Sequence, residues 1–236
     1  ITDLGEWPYP KRQLVPLTEV VHDRLNVEVF RGCTRGCRFC QAGMITRPVR
    51  ERPAEQVRTM VADGLRRTGY DEVALTSLST ADFSGIDQVV RDTVNDPACG
   101  GQISVSLPSL RVDAFTVGIA GEIQKARRTG LTFAPEAGTQ RLRDVINKGV
   151  TEDDLMETAG AAFREGWQAL KLYFMIGLPT ETAEDLDGIA RLAREVLALG
   201  RKMGVPRGRL RATTSVSSFV PKAHTPFQWE PQDTLE

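Results

Sequence analysis

From Asn26 onward, short apolar runs alternate with amphipathic stretches, the pattern of βαβ units feeding a parallel sheet. The runs predict strands over 26–30, 72–75, 102–106, 131–134, 169–176 and 210–219. The stretch 169–176 is nearly all apolar, which predicts a strand covered on both faces. Between the strands, Pro53 leads into Val57, Met60, Val61, Gly64 and Leu65 at helical spacing. Ser84, with Asp87 three residues on, predicts a capped helix, and another is centred on 119–126. Thr139 and Thr151 each stand where an N-cap should, the second helix running through Phe163. Thr182 with Asp185 opens a long helix carrying Leu186, Ile189, Ala190, Ala193, Val196 and Leu197 on one face. Six βα repeats fill residues 26–222 at about 30 residues each, leaving no room for eight. The expected fold is α/β: a partial (β/α)6 TIM-like barrel of parallel strands with outer helices, its chemistry at the carboxyl ends of the strands.

Composition adds bounds rather than chemistry. Of 236 residues, 41% are apolar and 26% charged, enough for a full core under a soluble surface. Residues 1–25, with Trp7, Pro8, Tyr9, Pro10 and Pro16, show no sustained period and read as a lead-in or a linker from an upstream domain. Residues 223–236 read as a tail leading to a further region, and a start at Ile1 rather than Met suggests a piece of a longer protein. No apolar run approaches the roughly 20 residues of a membrane span, and no signal peptide opens the chain. A net charge of −1 leaves no global footprint for nucleic acid.

Three of the four cysteines fall within eight residues, in Arg31-Gly32-Cys33-Thr34-Arg35-Gly36-Cys37-Arg38-Phe39-Cys40-Gln41-Ala42-Gly43. A loop that short, relaxed by its glycines, can wrap three thiolates around one face of an iron–sulfur cube. A fourth Cys completes most electron-transfer sites; with three, one iron keeps the open position that marks a catalytic metal. Zinc prefers four ligands, usually in separated pairs, and neither His22 nor His224 has the spacing to supply one. A disulfide fits less well still, three being odd. Few cysteines and an oxygen-sensitive motif point to a reducing, cytoplasmic setting. Cys99, in Asp96-Pro97-Ala98-Cys99-Gly100-Gly101, precedes the third strand and so belongs at the opposite end, a packing thiol rather than a fourth ligand.

The Cys-x3-Cys-x2-Cys spacing, with Phe39 just before the third Cys, resembles the signature of the radical S-adenosylmethionine (SAM) enzymes, and the resemblance runs through residues 26–222. It implies a 4Fe–4S cluster on Cys33, Cys37 and Cys40, whose open iron chelates the amino and carboxylate groups of SAM. It implies that Glu136 contacts the SAM ribose or methionine moiety and that Lys148 lies near the SAM carboxylate. The plainer alternatives are a helix N-terminal carboxylate for Glu136 and a helix C-terminal cation for Lys148. Ile176 and Gly177 match the strand whose backbone approaches the adenine, with Val216 and Phe219 as its apolar wall. Many members end the second strand in Gly-Gly-Glu, whose carbonyls receive the SAM ammonium group; here Thr76-Ser77-Leu78-Ser79 stands instead. Ser77 and Ser79, with Ser106 at the end of the third strand and Phe39 in the loop, complete the SAM-binding candidates.

The wording of Gln41–Pro48, Ala134–Thr139 and Pro221–Gln228 is similar to an uncharacterised bacterial branch often preceded by a cobalamin-binding domain, so cobalamin held by a domain outside this chain is permitted. The resemblance implies reductive SAM cleavage to a 5′-deoxyadenosyl radical, with flavodoxin or ferredoxin as electron donor and an unknown substrate. Arg31, Arg35, Arg38, Arg47, Arg50 and Arg52 crowd the loop and could draw in an anionic substrate such as RNA, balance the cluster's charge, or lie solvated. Three other readings stay open. These are an iron–sulfur electron-transfer or redox-sensing module, a nucleic-acid-binding domain with a structural cluster, and methyl or methylthio transfer to RNA or protein.

Overall fold

The structure, a computed structural model, describes residues 3–96, 103–107 and 131–234. The chain forms two compact units. One comprises Ile1–Gly32, Pro48–Leu110 and Thr116–Thr129; the other comprises Cys33–Arg47, Arg111–Phe115 and Gly130–Glu236. The expected helix over 119–126, the start of the third strand at Gln102, and Cys99 lie outside the described residues.

In the first unit, β1 (Leu25–Glu28), β4 (Glu72–Thr76) and β5 (Ser104–Ser106) form a parallel sheet in the order β1-β4-β5, with Leu25 opposite Val73 and Glu72 opposite Ser104. Helix α2 (Ala54–Thr68) buries Val57, Met60, Val61 and Leu65, the face the sequence predicts. Gly64 sits where any Cβ would come within 2.7 Å of Leu25, so the glycine lets the helix press onto β1. Helix α3 (Ile86–Asn95) departs from expectation at its start. Gly85 is its N-cap and no side chain caps it; the Ser84 amide donates to Glu51 (3.2 Å). A two-residue antiparallel pair, β2 (Phe30–Arg31) with β3 (Arg50–Glu51), was not foreseen. The buried Arg52 follows it, donating to the carbonyls of Leu4 (2.7 Å), Glu28 (3.1 Å) and Trp7 (3.3 Å) beneath the ring of Tyr9. That one guanidinium fastens the lead-in onto the unit.

In the second unit, β6 (Leu131–Glu136), β7 (Ala169–Ile176) and β8 (Arg211–Ser218) form a parallel sheet in the order β6-β7-β8. Its helices are α1 (Gln41–Ile45), α4 (Gln140–Val145), α5 (Glu152–Arg164) and α6 (Ala183–Lys202). Thr139 caps α4, and Thr151 with Asp154 closes a capping box on α5, as expected. Strand β7 is well covered on one face only: Leu170, Leu172 and Phe174 are buried, while on the other face Ala169 and Tyr173 are exposed and Lys171 and Met175 half-buried. Its apolar run therefore overstated the cover, since a parallel strand shows this alternation when one face lacks a helix. Helix α6 is also turned from the expected face. It buries Asp185, Gly188, Leu192, Val196 and Gly200, and leaves Leu186 exposed. The cause is a backbone contact: a Cβ at Gly188 would stand 2.5 Å from the Gly138 carbonyl oxygen, so only a glycine stripe can face that turn.

Candidate active site

The cysteine loop belongs to the second unit, and its geometry is set locally. Gly32 and Gly36 take positive φ (99° and 73°), bending the chain on either side of Cys33. The Cys40 amide donates to the Cys37 carbonyl (3.1 Å), and Cys40 then becomes the N-cap of α1, its Sγ accepting from the Gly43 amide at 3.3 Å. A Cβ placed on Gly43 would stand 3.6 Å from Cys40 Sγ and 3.9 Å from Cys33 Cβ. Gly43 thus floors a cradle on which these two cysteines converge. All three thiols are half-buried and free of disulfides. Among the described residues, no group of three or more His, Cys, Asp or Glu draws in around a single ion. Three thiolates in one short loop suit three corners of a cluster better than the four ligands, usually in separated pairs, that zinc prefers. An amide aimed at a ligand sulfur belongs to the same chemistry, since such hydrogen bonds tune cluster potentials.

The carboxyl end of α4 holds this loop in place. The Arg38 amide donates to the Ile146 carbonyl (2.9 Å), its guanidinium to the Val145 carbonyl (2.5 Å), and the Asn147 side chain to the Gly36 carbonyl (2.9 Å). Arg47 closes the far side by donating to the Gly43 carbonyl (3.0 Å). Phe39 packs against the apolar cluster formed by Ala137, Leu142, Ile146, Leu178, Phe219 and Phe227, and Gln41 donates to the Ala223 carbonyl (3.1 Å). The segment around Phe227, expected to trail away, is therefore part of this unit's core.

At the end of β6, Glu136 adopts a left-handed backbone (φ 70°), uncommon for a non-glycine residue and typical of places where function holds strain. Lys148 Nζ lies 3.0 Å from Glu136 Oε1, with Lys148 nearly buried. The sequence nominated both residues but not their pairing. Two further groups were not nominated for the site, because each reads as part of a helix; Asp185 was taken only as the capping partner of Thr182. Arg143 is fully buried and donates to the Ala137 carbonyl (2.9 Å) and to Gln140 (3.2 Å); burial pulls its pKa down, partly offset by Glu152. Asp185 accepts from Thr139, from Arg141, and from the Thr182 amide and hydroxyl (2.9 Å each). Burial pushes its carboxyl up, but those hydrogen bonds outweigh it and hold the group at about 2. Together Arg143 and Asp185 brace residues 137–139, the turn that presents Glu136.

The remaining nominated residues divide between the units. Gly177 takes positive φ (76°), and its amide donates to Glu181 (2.8 Å), whose carboxyl burial pushes up. The Phe219 amide donates to the Ile176 carbonyl (2.8 Å), and Phe219 is buried edge-on to Phe227, a core residue as much as a wall. Val216, opposite Phe174 in the sheet, is exposed. In the first unit, Ser77 Oγ lies 3.0 Å from Thr80 Oγ1 and accepts from the Ser79 amide. Ser79 is buried, and its hydroxyl has no partner among the described residues. Such an orphaned group at a strand end suits a site that awaits a polar ligand. Ser106 is half-buried at the end of β5.

The crowd of arginines near the cysteines is largely engaged. Arg31 forks onto Glu28 (2.8 and 2.7 Å), Arg38, Arg47 and Arg52 hold backbone carbonyls, and Arg35 and Arg50 have partners too. Structural duty accounts for them better than attraction of an anionic substrate.

Comparison with known proteins meets this geometry. The radical SAM superfamily pattern matches residues 27–193. The chain belongs to the radical SAM superfamily. It is 34% identical over 207 residues to the uncharacterized protein MJ0966 of Methanocaldococcus jannaschii, covering 88% of this chain and 43% of that one. It is 23% identical to the ribosomal protein uS12 methylthiotransferase RimO of a Thermotoga species, covering 72% of this chain and 41% of that protein. Among solved structures, it is similar to the radical SAM methyltransferase TsrM of Kitasatospora setae, solved with cobalamin and a [4Fe–4S] cluster bound. The TM-score is 0.64 at 16% identity, with 86% of this chain and 38% of that chain covered. That likeness is one of fold, and it supports the partial TIM-like barrel expected from the sequence. The chain spans less than half the length of each of these relatives. Among the described residues, no helix is long and apolar enough to cross a membrane.

Proposed function

We propose that this chain is the catalytic core of a radical SAM enzyme, with Cys33, Cys37 and Cys40 holding a 4Fe–4S cluster. When bound, the cluster supplies one electron, drawn from a donor such as flavodoxin or ferredoxin, to cleave SAM into methionine and a 5′-deoxyadenosyl radical. The observation that carries this reading is the cysteine loop itself: three thiols outside any disulfide within eight residues, two of them converging on the Gly43 cradle, with an amide aimed at Cys40 Sγ. The chain's own residues ligate, orient and exclude water. Glu136 offers a carboxylate to the hydroxyls or ammonium of SAM, and Lys148 holds that carboxylate while offering a cation to the carboxylate of SAM. Gly177, at positive φ, ends β7 with the backbone that would approach the adenine.

Anaerobic cluster reconstitution of the full-length protein, followed by assay of 5′-deoxyadenosine under reductant, tests this. Product should form with the parent and vanish with Cys37→Ala; cleavage that survives the substitution refutes the assigned ligands.

The outcome after SAM cleavage has a second reading. Similarity to a methylthiotransferase and to a cobalamin-binding methyltransferase favours methyl or methylthio transfer, with cobalamin held by a region outside this chain. Transfer of label from methyl-labelled SAM to an acceptor separates this from hydrogen abstraction alone. A reducing, cytoplasmic setting suits the oxygen-sensitive ligands.

A further inference from the structure

Between Glu195 and Glu230 the chain has no Asp or Glu, while Arg201, Lys202, Arg207, Arg209, Arg211 and Lys222 place six cations there, in a chain whose net charge is −1. Charge segregated in this way marks a binding face more often than a neutral average suggests. Five of the six lie within 201–211, where α6 ends, turns and enters β8, and all five are exposed. None of the five makes an ion pair or side-chain hydrogen bond with a described residue, unlike the arginines of the cysteine loop. The helix macrodipole accounts for Arg201 and Lys202 in the last turn of α6, but not for Arg207, Arg209 and Arg211.

The turn that presents them is built rather than loose. The amides of Arg209 and Leu210 both donate to the Pro206 carbonyl (2.9 and 3.0 Å). Leu210 packs so tightly on Gly200 that a Cβ there would come within 2.6 Å of it. A cavity of about 350 Å³ opens beside it, lined by Leu197, Arg201, Arg207 and Leu210. It lies at the amino-terminal end of β8, whereas Glu136 stands at the carboxyl end of its own strand in the same parallel sheet.

We infer that this face binds single-stranded nucleic acid, with the arginines on the phosphates and one base seated over Leu197 and Leu210. Charge complementarity calls for a polyanion, and four of the five cations are Arg, whose planar fork matches phosphate and whose face stacks on a base. The cavity takes a single base-sized group between guanidinium groups over an aliphatic floor. An acidic helix of a protein partner would need a row of apolar sockets at successive turns, and this cavity has one pair of leucines. Neither the cluster nor SAM enters this inference, so it can fail while the catalytic reading stands.

The test is fluorescence anisotropy of the full-length protein with a labelled single-stranded RNA of mixed sequence. With about four phosphates neutralised, affinity should fall roughly 50-fold between 50 and 200 mM salt. Arg207→Glu with Arg209→Glu should weaken binding at least tenfold at 50 mM salt. The same charge change at Arg67 and Arg91, on α2 and α3, should leave it within about twofold. Should the double reversal disturb folding by circular dichroism, Arg207→Gln with Arg209→Gln gives the same comparison. Absence of RNA binding at 50 mM salt, equal loss in both double variants, or competition by polyglutamate as effective as by unlabelled RNA would each overturn the inference.

Discussion

Asn147 reaches back across the second unit to donate its side-chain amide to the carbonyl of Gly36, at 2.9 Å, between Cys33 and Cys37, two of the three proposed cluster ligands. Both residues sit in the left-handed region (φ 52° and 73°), so each needs a backbone that few side chains tolerate. The bond ties the cysteine loop to the residue just before Lys148, itself paired with Glu136. The proposed cluster ligands and the nominated SAM contacts are thus joined through two adjacent side chains.

Asn147 should therefore act as a positioning residue. Asn147→Ala is expected to lower iron retained per protein after gel filtration and to raise the KM for SAM about tenfold, in the range of outer-shell ligand changes. Asn147→Gly keeps the backbone conformation while removing the amide, and should show the same loss. Full activity in the glycine variant would mean the backbone shape alone matters.

Glu136 and Lys148 can be separated by a double-mutant cycle. Lys148→Met leaves a largely buried carboxylate without its cation and should lower stability by about 1–3 kcal/mol. Adding Glu136→Gln should restore most of that stability without restoring SAM affinity, read by equilibrium dialysis. Parental SAM affinity in Glu136→Gln would remove this residue from the site.

Gly138 supports the turn below Glu136. A Cβ there would fall 2.1 Å from the Asp185 carbonyl oxygen, closer than any real contact. Gly138→Ala should cost about 3 kcal/mol or prevent folding, whereas Gly208→Ala, with open space around it, should stay within about 0.5 kcal/mol. Chemical denaturation checks both; a small change at Gly138 would show that the turn and α6 can move apart.

Asp185 gives the fold a pH dependence of known sign. Its carboxyl is held at about 2 against an ordinary value of 3.8, so the folded state favours the ionised form. The resulting stability, about 2 kcal/mol, is fully present above pH 4 to 5 and is lost as pH falls toward 2. In Asp185→Asn this part of the acid dependence should disappear, as followed by denaturant midpoints between pH 3 and 7. A parental pH slope in the variant would assign the effect to other carboxylates.

Much of this was legible in the sequence, for identifiable reasons. The six parallel strands announced themselves because short apolar runs and amphipathic helices differ in period, and their described residues fall within about two residues of those runs; the short antiparallel pair β2–β3 did not. The cysteine spacing carried its chemistry because eight residues fix the geometry. The face of α6 was misjudged because glycine contributes nothing to an apolar count, yet the Gly138–Gly188 contact decides the rotation. Strand β7 was read as covered twice because composition reports what a strand can bury, not whether a helix lies against it. The left-handed Glu136, its pairing with Lys148, and the Asn147 bond are tertiary facts, joining positions far apart in sequence without a repeating pattern.

The most direct test of the central claim is the electron paramagnetic resonance spectrum of the reduced, reconstituted protein before and after SAM is added. Three thiolates and one open iron predict a 4Fe–4S signal whose g-values shift on addition of SAM and stay unshifted with methionine-free adenosine. A signal unmoved by SAM, or one that persists unchanged in Cys37→Ala, would contradict it.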